Sequence, residues 1–165
     1  MLTNGIKITD LFLPIKINGD VAFLKALMYE LHQMDMEQGG GLIDYDFIQE
    51  YTEGYEEFIK SIKGIDYMAC LNQCGLEAKE VRSAAKLIAR KEKIIVCWAM
   101  GLTQHENGVD NIKEIVNLLL MKGAIGKPGA GTFPVRGHSN VQGDRTMGIW
   151  EAPQKDFLDK LEKVH

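Results

Sequence analysis

Lys93-Ile-Ile-Val-Cys-Trp-Ala99 is a continuous apolar run, β-branched at its start and bounded by charge on one side and Met100-Gly101 on the other. That pattern predicts a strand, with no polar alternation to mark a solvent face. Two helical stripes bracket it. Glu77–Arg90 places Val81, Ala84, Ala85, Ile88 and Ala89 on one side, and the alanines there suit close packing. A second helix, starting at Asn107 or Asp110 and stopped by Gly123, offers Val109, Ile112, Val116, Leu119 and Leu120. Strand, helix and strand in alternation predict an α/β fold with a mainly parallel sheet flanked by helices.

Working outward, Asp10 to Ile17 reads as a short strand buried on both faces, and Asn18-Gly19 as a turn. Asp20 is placed to N-cap a helix whose Val21, Leu24, Leu27, Met28 and Leu31 form one stripe, closed by Gln38-Gly-Gly-Gly41. Asp44 caps a short helix carrying Phe47, Ile48 and Tyr51, and a further helix over Tyr55 to Ile62 presents Phe58, Ile59 and Ile62. Near the end, Pro153 to Val164 forms an amphipathic helix with Phe157, Leu158, Leu161 and Val164 together. The 165 residues are expected to make a single α/β cofactor-binding domain, with a glycine-rich loop over 123–148, a short strand near Val135, and the closing helix over 153–164.

The composition is that of a globular protein, with 45% hydrophobic and 25% charged residues. A formal charge of −4 argues against a nucleic-acid or anionic-membrane surface, which rests on clustered Lys and Arg. No apolar run approaches the roughly 20 residues of a membrane span, and no signal peptide is evident, so a cytoplasmic location is expected. Cys70, Cys74 and Cys97 are too few for a disulfide framework and fit a reducing compartment as buried or half-buried thiols. Neither they nor the scattered histidines His32, His105, His138 and His165 have the spacing of a four-ligand metal or iron–sulfur site.

Two segments carry chemistry. Met100-Gly-Leu-Thr-Gln-His105 links the predicted strand to the following helix, and open parallel sheets present ligands beyond the carboxyl ends of their strands. Gly101 permits a tight exit, and Thr103 and Gln104 offer donors to phosphate or sugar oxygens; the plainer reading is a helix-capping turn. Gly131-Thr-Phe-Pro-Val-Arg-Gly-His-Ser-Asn-Val-Gln-Gly-Asp-Arg-Thr-Met-Gly148 has no amphipathic period, and combines glycines with Arg, Asn, Gln, Ser and Thr donors. A glycine-rich surface loop is the plainer alternative. Gly126-Lys-Pro-Gly-Ala-Gly131-Thr132 is not a nucleotide-triphosphate loop. Thr132 follows Gly131 with no lysine between them, and the segment follows a helix.

Pro134-Val-Arg-Gly-His-Ser-Asn-Val-Gln-Gly143 closely resembles a segment of the molybdopterin-guanine-dinucleotide (MGD) oxidoreductases, the formate dehydrogenase alpha subunit-like family. Trp98-Ala-Met-Gly-Leu-Thr-Gln-His105 resembles that family's Trp-Gly-Met-Gly-Val/Leu-Thr-Gln segment, with Ala99 in place of glycine. Asn117 to Gly131 resembles the helix end and loop that follow, and Leu13 to Ala22 is similar to the strand and helix start that carry a Gly-x-Asp or Gly-Ser-Asn step in the family. The wording His-Ser-Asn-Val-Gln-Gly-Asp-Arg-Thr is that of the bacterial molybdopterin-subunit type.

The resemblance implies that this chain is part of a larger molybdopterin oxidoreductase fold, an internal fragment whose partner is the remainder of the same polypeptide. Met1 leads into the first predicted strand, so no earlier domain is expected before it. It implies molybdenum held by MGD in the intact enzyme, with an iron–sulfur cluster upstream, a small-molecule substrate and electron transfer. No cofactor is expected to stay tightly bound to the fragment. Met100, Gly101, Thr103, Gln104, Asp20, Gly137, Ser139, Asn140 and Gln142 are the implied cofactor contacts. Arg136 corresponds to an arginine that faces the molybdenum centre and would orient an anionic substrate; a guanidinium stays charged and grips a carboxylate with two hydrogen bonds. His138 stands where the formate dehydrogenases carry Gln, which puts formate itself in doubt. The two catalytic candidates are therefore Arg136 and His138. The competing reading is a stand-alone nucleotide-binding or scaffold module without redox activity.

Overall fold

The computed structural model describes residues 9–138, 140–149 and 153–164. The chain divides into two compact units, Met1–Pro134 and Val135–His165.

The larger unit is built around α1 (Asp20–Gln38). Its Ala22, Leu24, Ala26, Leu27, Met28 and Leu31 are buried, and Glu30, His32 and Asp35 are buried with them. A helix buried on so much of its circumference must be wrapped by others. α4 (Tyr67–Cys74), α5 (Ala78–Ala89) and α7 (Gly108–Met121) pack on it, and α3 (Tyr55–Lys63) adds Ile59 and Ile62 to the core. Gly39 closes α1 in the left-handed conformation at φ 82°, as the glycine cluster predicts. α2 (Tyr45–Tyr51) starts where Asp44 accepts a hydrogen bond from Phe47 N at 3.0 Å, but only Ile48 of its apolar residues is buried. α4 is absent from the sequence reading, although Asp66 caps it by accepting from Ala69 N at 2.9 Å.

The sheet is parallel but small. Among the described residues it consists of β1 (Ile95–Trp98) and β2 (Gly131–Pro134), paired from Ile95↔Gly131 to Trp98↔Pro134. The expected α/β fold with a mainly parallel sheet flanked by helices is thus corrected to a mostly helical one in which the described residues hold one strand–helix–strand crossover, through α6 (Met100–Thr103) and α7. The expected strand from Asp10 to Ile17 pairs with no strand among the described residues, and it is not buried on both faces, since Leu11, Phe12 and Ile17 are exposed. Lys16 N donates instead to Cys74 O at 2.9 Å. Among the described residues β1 is covered on one face only: Val96 and Trp98 pack against the core while Ile95 and Cys97 are exposed. An unbroken apolar run does not distinguish a strand buried on both faces from one covered on a single face, and here helices cover one.

α7 shows a rotation relative to its predicted face. Gly108, Asn111, Ile115, Leu118 and Leu119 are buried, whereas Val109 is 70% exposed. Asn111 occupies a core position that a hydrophobicity count passes over. Asp20 is likewise not the N-cap of α1; Gly19 holds that place and Asp20 lies in the first turn.

The smaller unit contains α8 (Val141–Thr146) and α9 (Lys155–Glu162). α8 is a helix within the stretch read as loop. The α9 stripe is present as expected, with Phe157, Leu158, Leu161 and Val164 all exposed. None of the described residues of this unit is buried.

Candidate functional site

In the larger unit, β1 runs into the turn Met100–Gln104 beyond its carboxyl end. Leu102 N donates to Ala99 O at 3.2 Å and Gln104 N to Met100 O at 2.9 Å, so the turn is a single closed helical coil. Met100, Gly101, Thr103 and Gln104 are exposed on it. Among the described residues the Gln104 amide hydrogen-bonds only the Met100 sulfur, at 3.9 Å. Beside the turn, Thr103, Gly108, Val109, Ile112, Lys113, Val116 and Asn117 line a groove of about 480 Å³.

Asp20 is brought to this turn. Its Oδ2 lies 3.7 Å from Nδ1 of His105, with the two side chains 19% and 21% exposed. The same ring nitrogen is 3.5 Å from Nδ2 of Asn111, and Asn111 Nδ2 donates to Leu102 O at 2.9 Å. At 3.7 Å the His105–Asp20 contact is an ion pair only when the imidazole is protonated. The first turn of α1, the coil after β1 and the core side of α7 therefore meet through Asp20, His105 and Asn111. Neither His105 nor Asn111 stands among the sequence candidates. The available signal was Asn111, a polar residue four before Ile115 on a buried helix face.

The remaining candidates belong to the smaller unit. Arg136, Gly137 and His138 are exposed on the chain leading to α8, and neither Arg136 nor His138 makes a hydrogen bond or ion pair among the described residues. Asn140 precedes α8 in a left-handed conformation at φ 58°, uncommon for a residue other than glycine. Gln142 lies in α8 and Ser139 lies outside the described residues.

Of the three cysteines, Cys74 is buried and Cys70 half-buried, but Cys97 is exposed, against the expectation for it. Among the described residues no group of three His, Cys, Asp or Glu could hold a metal ion, and no helix is long and apolar enough to cross a membrane.

No family model matches the chain. Individual proteins do. "Protein YdeP" of Escherichia coli K12 is 42% identical over 98% of this chain. An uncharacterized oxidoreductase of Mycobacterium tuberculosis is 39% identical over 97%, and formate dehydrogenase H of Escherichia coli K12 is 33% identical over 86%. The matched regions make up 22%, 20% and 19% of those proteins, so the chain spans about a fifth of each relative's length. These names do not favour the scaffold reading.

Proposed function

Because this chain is similar over most of its length to a segment of larger oxidoreductases, formate dehydrogenase H among them, we propose that it is the cofactor-binding segment of a molybdenum bis-MGD oxidoreductase acting on a small substrate. The observation that carries the reading is the placement of the Met100–Gln104 turn beyond the carboxyl end of a parallel strand, in a strand–helix–strand unit. Such edges are where parallel sheets take nucleotide-like ligands.

The donor chemistry fits the group. Gln104 and Thr103 present neutral donors and acceptors suited to a ribose or pyrophosphate, Asp20 a carboxylate for an amino or hydroxyl group, and Asn140 and Gln142 further amides. When bound, the molybdenum–pterin group supplies the two-electron chemistry; the protein supplies binding, orientation and electrostatics. Arg136 carries a charge without an internal partner among the described residues and is available to grip an anionic substrate through two parallel hydrogen bonds. His138 places an exposed imidazole two residues from Arg136, with ring nitrogens that can hydrogen-bond a cofactor or substrate oxygen. The remaining polypeptide of the intact protein is this chain's partner.

The test uses the longer parent polypeptide, analysed for molybdenum and for guanine nucleotide released by acid. Near-stoichiometric amounts of both are expected, and their absence sinks the proposal. Arg136→Ala is expected to lower turnover far more than cofactor content. Loss of cofactor with turnover per cofactor unchanged would make Arg136 a cofactor ligand instead.

A further inference from the structure

We infer that Gly108 and Asn111 are positioning residues that lock the Met100–Gln104 turn onto α7, and so fix where the turn presents Thr103 and Gln104 to a ligand. The ligand part of this inference rests on the cofactor-binding reading; the lock itself does not.

Asn111 is fully buried, yet its Nδ2 leaves the helix to donate to Leu102 O, the middle of the turn, at 2.9 Å. Its Oδ1 has no hydrogen-bond partner among the described residues. A buried amide used on only one side is a poor core residue, since the unused acceptor has lost its water for no return. Leucine would fill such a position on an otherwise apolar face at lower cost. The feature that asparagine supplies and leucine does not is the bond to Leu102 O. His105 lies beside the same Nδ2 at 3.5 Å and connects this point to Asp20.

Gly108 acts one turn earlier on the same side of α7. A Cβ built there would lie 2.6 Å from Thr103 O and 3.1 Å from Thr103 C, both backbone atoms that cannot rotate aside. Thr103 therefore rests directly on the bare backbone of α7, and its neighbour Leu102 is tied there by Asn111. The turn has two attachments at residues 102 and 103, immediately beside the exposed side chains of Thr103 and Gln104. A coil of four residues held only by its own two backbone hydrogen bonds would fray, because so short a helix is not self-supporting.

The lock is tested on the 165-residue chain by amide hydrogen exchange of Leu102 and Gln104, whose N–H groups close the turn. Asn111→Leu is expected to speed their exchange at least ten-fold while leaving the α1 amides unchanged. Gly108→Ala is expected to shift the Thr103 and Gln104 resonances and speed the same two amides. Unchanged exchange at Leu102 and Gln104 in both variants overturns the lock. A uniform rise across α1, α5 and α7 also overturns it, by reducing Asn111 to a stability residue. The ligand role is read in the longer parent, as acid-released guanine nucleotide per chain, expected to fall at least five-fold in Asn111→Leu at an unchanged melting temperature. Full nucleotide content in that variant, with faster local exchange, overturns the ligand role and leaves the lock. If the unaltered parent carries no guanine nucleotide, the cofactor reading fails and takes the ligand role with it, while the exchange result still decides the lock.

Discussion

Tyr45 Oη donates to Oδ2 of Asp35 at 2.9 Å, across the turn that joins α1 to α2. The other carboxylate oxygen accepts from Leu42 N at 2.7 Å and Ile43 N at 3.2 Å, so a side chain only 1% exposed is satisfied by three donors. The glycines at 39–41, all at positive φ, let the chain fold back over it. Burial and the Asp35 hydrogen bond both push the Tyr45 hydroxyl well above its usual range, so it remains a donor at every working pH.

Asp35→Ala leaves two backbone N–H groups and a phenol without their acceptor, and is expected to cost about 3 kcal/mol, since each buried unsatisfied donor costs about 1–3 kcal/mol. Asp35→Asn retains one oxygen and is expected to lose less. Urea unfolding of both variants reads the difference, and equal stability of Asp35→Ala and the unaltered chain rejects this account.

Gly123 at φ 53° ends α7 against Asp44, and a Cβ there would overlap the Asp44 carboxylate. Gly123→Ala should therefore lose about 2 kcal/mol, from left-handed strain and from displacing the cap of α2. Asp44→Ala removes the cap alone and is expected to cost about 1 kcal/mol. Thermal melts of the two variants should rank them in that order.

His32 is buried in α1, and burial, with Lys63 adding repulsion, holds its imidazole below its ordinary value of 6.5. A lowered folded value means that the unfolded chain takes up the proton first. Stability from this group is present above pH 6.5 and is lost as the pH falls through the folded value. Comparing the chain with His32→Leu between pH 7.5 and 5 should show a shallower decline in the variant; parallel curves would remove His32 as a source of acid sensitivity.

Cys97 is exposed on the open face of β1, Cys70 is half-buried with its thiol pushed up by burial, and Cys74 is fully buried. A thiol reagent at neutral pH should modify one cysteine rapidly in the native chain, with the others following only on unfolding. Cys97→Ser should abolish the fast phase. A fast phase surviving in that variant would contradict the placement of β1.

Local features were legible in the sequence because their causes are local. Gln38-Gly-Gly-Gly41 ends α1, Asp44 caps α2, and the stripe Val81, Ala84, Ala85 buries one side of α5; each depends on neighbours within a few turns. The strand Ile95–Trp98, the turn after it and their resemblance to the oxidoreductases were legible for the same reason. Tertiary packing decided the rest. The run from Asp10 to Ile17 satisfies Lys16 N on Cys74 O instead of on a neighbouring strand, and β1 found helices on one face only. α7 turned Asn111 inward because its side chain meets a carbonyl nine residues back in the chain. Periodicity orders residues by hydrophobicity, so it cannot register a buried amide whose value lies in one hydrogen bond to a turn that the fold brings beside it.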